Sequence, residues 1–598
     1  MRTQRSLLVL LVLFAAVAVP PAATAASPVR AGFAVRSIVP GQPDWSRVWH
    51  TSRRHPTGVL PGDGLWARAS YLESGATHLA VVSLDLLGLF YDDIVMIRDE
   101  IRAAIGDDVH VLVASTHTHS GIDTLGVYGP DETTTGVDAA YQSFVRAQAA
   151  AAAIDAAGAA EEVTEVRFGS LPAPADLNEY DRSRHPGTFD DSVNVVQVRG
   201  VNGTIGTIVN WASHPELVDP KSSSDPMIPA SMRGAVMSSD FVHTLRTTVE
   251  SAGGGTALFL NGPNGAVTGL AVPVIDPDTG TPFPRKSVKK AYYVGSRIGQ
   301  TAIDALTAAN AQSVTAPPLS VESESFFLTV ENNFILALKA AGVIPRETYT
   351  AGAANPLGRD VKTEMLHARF GPLEFLTMPG EQQPDLHTGV YQPLAERANP
   401  DVPPERAVEP QMTGDFHFVV GLGMDELGYF VSATDYVPPT IMPLYSNGED
   451  RNGVDHYQET LSLGRDTARA LSQQASRLLG TVPEPDYLPY PGGFLTSAGT
   501  PLYTGASADV RGIWIDTSDS GRYEQREDAE LFVAVPTGPP AAFGFLDSQL
   551  RNIGPDPSDE ARGAWIDGDG DGAFDPVRDP HLFFDTWTLG EGPLENPV

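Results

Sequence analysis

The stretch VLVASTHTHSG, residues 111–121, decides how the chain is read. An apolar run of strand length, beginning at Val109, stops at Ser115-Thr116. Two histidines, His117 and His119, then flank a single threonine. A short apolar run bounded in this way reads as a buried strand. In open α/β sheets, ligand sites form just beyond the carboxyl ends of strands. An HxH pair on extended backbone would turn both imidazoles to one side.

Other runs end in the same manner. TIVNWAS (207–213) is followed by His214, LEFLTMPG (373–380) by Glu381, and FHFVVGLGMDELG (416–428) by Tyr429. The expectation is one sheet edge carrying two or three imidazoles, a carboxylate and a phenol. Nitrogen and oxygen donors of this kind suit Zn²⁺. The chain has no cysteine, so thiolate ligands and a cysteine nucleophile are excluded.

Outward from these runs the pattern alternates. Strand-like segments are HLAVVSLDLLGLF (78–90), VHVLVAS (109–115), VNVVQV (193–198), TIGTIVNWAS (204–213), TALFL (256–260), LEFLTM (373–378) and FHFVVGL (416–422). Helices are expected at 92–105, 139–157, 287–310 and 455–479, the last from apolar residues three and four apart with Gly480 as its end. The fold class is therefore α/β: a large mixed-sheet catalytic domain with helices over 26–481. A proline- and glycine-rich linker at 482–500 leads to a small, acidic, β-rich C-terminal domain over 501–598. Residues 1–25 carry a basic start, a short apolar core and a small-residue cleavage signal, and read as a secretory signal peptide. No apolar span of transmembrane length follows, so no transmembrane segment is expected in the mature chain. The net charge of −34 argues against nucleic acid and anionic membranes as partners.

RGIWIDTSDSGRYEQREDAELF (511–532) aligns without a gap to RGAWIDGDGDGAFDPVRDPHLF (562–583), which marks two repeat units. The second unit places Asp567, Asp569, Asp571 and Asp575 at positions 1, 3, 5 and 9 of an EF-hand-like loop, with glycine at 6 and Arg578 where a bidentate glutamate would stand. The alternatives are a structural Ca²⁺ loop and an acidic, solvated turn.

The ordered motifs THTHSG (116–121), NWASHP (210–215), LNGPNGAVTG (260–269), MPGE (378–381) and GLGMDELGY (421–429) resemble the neutral, non-lysosomal ceramidases. AGFAVRSIVP (31–40) and VVSLDLLGL (81–89) fit the same family, and the likeness runs from about residue 30 to 480. It implies a secreted zinc amidohydrolase cleaving the N-acyl bond of a lipid amide such as ceramide. The zinc ligands it implies are His117, His214, Glu381 and Tyr429. His119 is implied beside the metal, for proton transfer or carbonyl polarisation, together with Arg182, for which Arg184 competes. The family's catalytic serine position holds Thr268 here, an aspartate position holds Ala266, and the segment after THTHSG reads Ile122-Asp123-Thr124. A second family tyrosine corresponds to Tyr436 or Tyr445. Asp85 either approaches the site or caps a helix; Asp240 either orients His214 or caps a helix. Two further functions are carried: a zinc hydrolase of another ester or N-acyl substrate, and an inactive, secreted, calcium-dependent binding protein.

Overall fold

The computed structural model describes residues 28–177, 188–222, 224–267, 273–349, 359–400, 402–439, 448–449, 453 and 455–481. Beyond 481 it describes Ala573 and the backbone of eight strands between Gly492 and Phe583.

Buried strands are where the sequence is most apolar. Val109–Ser115 and Thr256–Asn261 are near-continuous apolar runs, as expected for strands covered on both faces. They sit at the two ends of a nine-stranded sheet. One end pairs Val109–Ser115 in parallel with Thr77–Leu84. The other pairs Thr256–Asn261 in parallel with Gly203–Trp211. The strands between them are antiparallel: Trp66–Ser74, Val29–Ser37, Glu161–Pro172 and Ser192–Gly200.

This sheet curls until its ends meet. The Ser83 hydroxyl donates to the Phe259 carbonyl at 2.6 Å, although Ser83's strand is next to last at one end of the spatial order and Phe259's is the last at the other. At the same junction Arg246 forms a fully buried ion pair with Asp85, at 2.8 and 3.1 Å. Asp85 therefore neither reaches the site nor caps a helix.

Helices cover one face. Ala139–Gly158 starts at Asp138, whose carboxylate accepts from the Tyr141 N–H, and lays its alanine face on the sheet. Phe241–Ser251 and Val288–Ala305 cover the other half. Asp240 caps the first of these and also accepts from the Val218 N–H at 2.6 Å; it is a helix cap, not a partner of His214. The opposite face meets a second sheet of Leu319–Thr329, Asp360–Phe370, Leu373–Thr377 and Phe416–Val420. Phe168 of the first sheet stacks on Phe416 and meets Phe370 edge-on, which ties the layers together. Thr467–Leu478 closes the outer side. The order of layers is helix, sheet, sheet, helix, an α/β fold with large mixed sheets.

The helix expected at 455–479 begins only at Thr467. Residues Gln458–Leu461 form a 3₁₀ turn instead. The Asn332 amide donates to the carbonyls of Glu459, Thr460 and Ser462, and the Leu463 carbonyl accepts from Glu331 and Asn332 N–H groups. Those carbonyls are thus taken by a distant segment rather than by the next helical turn.

Past 481, Gly492–Thr496, Pro501–Leu502, Val510–Ile515 and Ala529–Phe532 form one four-stranded sheet. Phe543–Asp547, Asn552–Gly554, Ala561–Ile566 and His581–Phe583 form another in the same spatial order. The register breaks at Leu495/Thr496 in one and at Leu546/Asp547 in the other. The repeat thus includes the strand Gly492–Thr496, inside the stretch that composition marks as linker. The loop side chains Asp567, Asp569, Asp571 and Asp575 lie outside the described residues.

Candidate metal centre

Curling the first sheet brings the loop after Val109–Ser115 against the loop after Gly203–Trp211. Asn261, at the end of its strand, clamps them: its amide donates to the carbonyls of Thr116 at 3.0 Å and Ser213 at 2.8 Å, and its oxygen accepts from the Ser213 N–H at 3.1 Å. The second sheet arrives at the same place, since Met424 N–H donates to the Val113 carbonyl and Gly421 N–H to the Asn261 carbonyl.

His117 is not on extended backbone. Its φ is 71°, in the left-handed region that a non-glycine residue rarely occupies. Its N–H donates to the Leu86 carbonyl at 2.9 Å, and its Nδ1 lies 2.7 Å from the Leu87 carbonyl. Residues 85–89, expected to continue a strand that ends at Leu84, instead leave the sheet and supply these acceptors. His214 is held alike, with Nδ1 3.0 Å from the Val267 carbonyl. A carbonyl only accepts, so both Nδ1 atoms carry the proton and both Nε2 atoms present lone pairs. Such a carbonyl partner is the usual means by which a metal-binding histidine is oriented.

Both lone pairs face a carboxylate. Glu381 Oε2 lies 3.4 Å from His117 Nε2 and 2.9 Å from His214 Nε2. One ring nitrogen from each of His117, His119 and His214 lies within 4.8 Å of the other two. Nε2 of His117, Nε2 of His119 and Oε2 of Glu381 are buried without a hydrogen-bond partner of adequate geometry. Acceptors aimed at one another in a buried space repel unless a cation lies among them. The donor set therefore fits a metal ion.

Glu381 and Tyr429 are opposite one another on two short parallel strands, Glu381–Gln382 and Tyr429–Phe430. Glycine lets the residue before Tyr429 pack against Leu461. Gly428 has φ 80°, and a Cβ on it would come within 1.7 Å of the Leu461 carbonyl oxygen. Burial and the negative Glu381 beside it push the Tyr429 phenol well above its usual range. Burial lowers His119 to about 3, so it is a neutral base. Its ring meets His117 edge-on at 4.9 Å. Its N–H donates to the Pro215 carbonyl, and its own carbonyl accepts from the Thr51 hydroxyl at 2.6 Å.

His117, His119, His214, Glu381 and Tyr429 are thus together. Arg182 and Thr268 lie outside the described residues. Sequence reasoning missed Asn261, although it stands in LNGPNG, and it missed Glu216, directly after His214-Pro215. Glu216 accepts from the Lys286 ammonium at 2.7 Å. It also missed Glu426, three residues before Tyr429.

An open pocket leads to these donors. Leu87, Phe90 and Leu125 form one wall, and Leu336, Leu427 and Leu463 belong to the other. The helix Asn333–Ala340 lies along it with Ile335, Leu336 and Lys339 lining the space. The mostly apolar lining is that of a site for an apolar chain. No helix among the described residues is long and apolar enough to cross a membrane.

No family model matches the chain, and no curated protein matches it in sequence. Solved structures do. It superposes on the neutral ceramidase from Pseudomonas aeruginosa with a TM-score of 0.52 at 16% identity, over 76% of this chain and 75% of that one. It superposes on a ceramidase complexed with C2 with a TM-score of 0.52 at 15% identity, over 77% and 76%. The chain has the neutral ceramidase fold.

Proposed function

We propose that this chain is a secreted, zinc-dependent amidohydrolase that cleaves the N-acyl bond of ceramide or a related lipid amide. One observation carries the reading. Buried imidazole and carboxylate donors without partners converge at the end of an apolar pocket. The neutral ceramidase fold of the chain supports the substrate class. Secretion rests on residues 1–25, whose composition is that of a signal peptide.

His117 and His214 would hold the zinc through Nε2, with Glu381 through its carboxylate and Tyr429 through its oxygen. A zinc ion in such a set supplies Lewis-acid polarisation of a carbonyl and activation of water near neutral pH. The protein's own parts do the rest. The apolar pocket takes the hydrocarbon chain and excludes water from it. The Leu87 and Val267 carbonyls fix the ring orientation of His117 and His214. His119, neutral and unsatisfied at Nε2, takes a proton there and returns it to the departing amine nitrogen. Arg182 and Thr268 are assigned to the substrate side of the site on the family resemblance. A structural Ca²⁺ at Asp567, Asp569, Asp571 and Asp575 is proposed separately, on loop spacing alone.

The test measures metal content and N-acylsphingosine hydrolysis in wild type and His117→Ala. Wild type is expected to carry zinc and to hydrolyse, and the variant to lose both. Full activity in a metal-free His117→Ala protein overturns the proposal.

A further inference from the structure

Glu426 is a pocket-lining acid with no part in the mechanism above. Its Oε1 accepts from the Gly428 N–H at 3.0 Å. Its Oε2 is buried and makes no hydrogen bond, yet the residue lines the same pocket as His117, Glu381 and Tyr429. One pocket-lining cation, Arg346, is engaged elsewhere: it grips Asp425 through two contacts of 2.6 Å. The Glu426 side chain packs over Gly88. Its Cγ packs so closely on Gly88 that a Cβ there would come within 2.6 Å. Leu427 beside it and Leu87, Phe90 and Val361 around the pocket offer no polar partner.

A buried oxygen left without a partner costs about 1–3 kcal/mol. A bound molecule that supplies the partner removes that cost. Resting on the hydrolase reading, we propose that Glu426 is a specificity-determining residue whose Oε2 hydrogen-bonds the polar head of an amphiphilic amide beside the scissile bond. Two groups share the required chemistry: the amide N–H itself, and a hydroxyl on the carbon chain next to it. A site built around one polar contact rejects an analogue lacking the matching group far more strongly than an apolar wall rejects a missing methylene.

The test uses the full chain as wild type, Glu426→Gln and Glu426→Met, the last keeping length and volume. Three substrates share the same hydrocarbon chains: an N-acyl amino alcohol, its deoxy analogue and the ester isostere. Glu426→Met is expected to lose about 10–100-fold in kcat/KM on the substrate carrying the recognised group. The analogue without that group should change little. An insensitive ester identifies the N–H as the group, and an insensitive deoxy amide identifies the hydroxyl. Equal loss on all three substrates, or none on any, overturns the proposal. Should Glu426→Met fail to fold by near-ultraviolet circular dichroism, the substrate ratio is read on Glu426→Gln. There a shift of about threefold or more is expected, and an unchanged ratio overturns it. If wild type hydrolyses nothing, the hydrolase reading fails on its own. Binding of the long-chain amino alcohol then decides: affinity at least about tenfold weaker in Glu426→Met supports the role, and equal affinity overturns it.

Discussion

Removing the Asn261 side chain should separate the two histidine loops before it unfolds the protein. Asn261 is fully buried, as are Thr116 and Ser213. Asn261→Ala deletes three hydrogen bonds of 2.8–3.1 Å and leaves a void where the amide stood. At about 1–3 kcal/mol for each buried group that loses its partner, and with partial relaxation, the expected loss of stability is about 3–5 kcal/mol. Asn261→Asp is the sharper probe. It keeps shape and the acceptor for Ser213 N–H, but turns an oxygen toward two carbonyls that now receive a donor. Because His117 follows Thr116 and His214 follows Ser213, the same loss acts on the imidazoles. Metal affinity should fall about 10–100-fold in both variants, the range seen when groups supporting metal ligands are removed. Chelator-competition titration reads the affinity, and denaturant unfolding of the metal-free protein reads the stability. Metal affinity within about threefold of wild type, in an Asn261→Ala protein that is destabilised as expected, would refute the claim that this residue sets the histidine positions.

His119→Ala should retain the metal while losing about 10²–10⁴ in kcat, because the ring is placed for proton transfer and its nitrogen is not held by a carbonyl as those of His117 and His214 are; metal analysis beside steady-state kinetics checks it, and loss of the metal would make His119 a ligand instead. The pH dependence of stability should carry a His50 component. Burial lowers His50 from 6.5 to about 4, so as pH falls the unfolded chain takes this proton first and the folded state loses ground between those values. Between pH 7 and 5 the loss from this group is about 2 kcal/mol. Urea unfolding at both pH values should show that much less pH dependence in His50→Gln than in wild type.

The parts legible in the sequence are those whose cause is local. Val109–Ser115 and Thr256–Asn261 are strands because a chain segment buried on both faces must be apolar throughout, and their ends are marked by the first polar residues. His117, His214 and Glu381 stand within four residues of such ends, so order alone suggests them, whereas Tyr429 lies nine residues past Val420 and is singled out as a ligand by the family resemblance. What could not be read is set by partners far along the chain. The left-handed turn at His117 depends on carbonyls of residues 86 and 87. Asp85 resembles a cap or a site residue until Arg246, 161 positions away, is seen to hold it. The late start of the helix at Thr467 is decided by Asn332, and the helix Asn333–Ala340 beside the pocket has too few residues for its periodicity to stand out. Asn261 is the clearest case. An asparagine before glycine at a strand end has the composition of a turn. Its amide instead lies where both ends of a curled sheet meet, and a closure of that kind has no signature in any window of sequence. The same closure ties the chemistry to the fold: the imidazoles share a space only because the first and last strands of one sheet are neighbours, so substitutions at the seam should act on the metal as well as on stability.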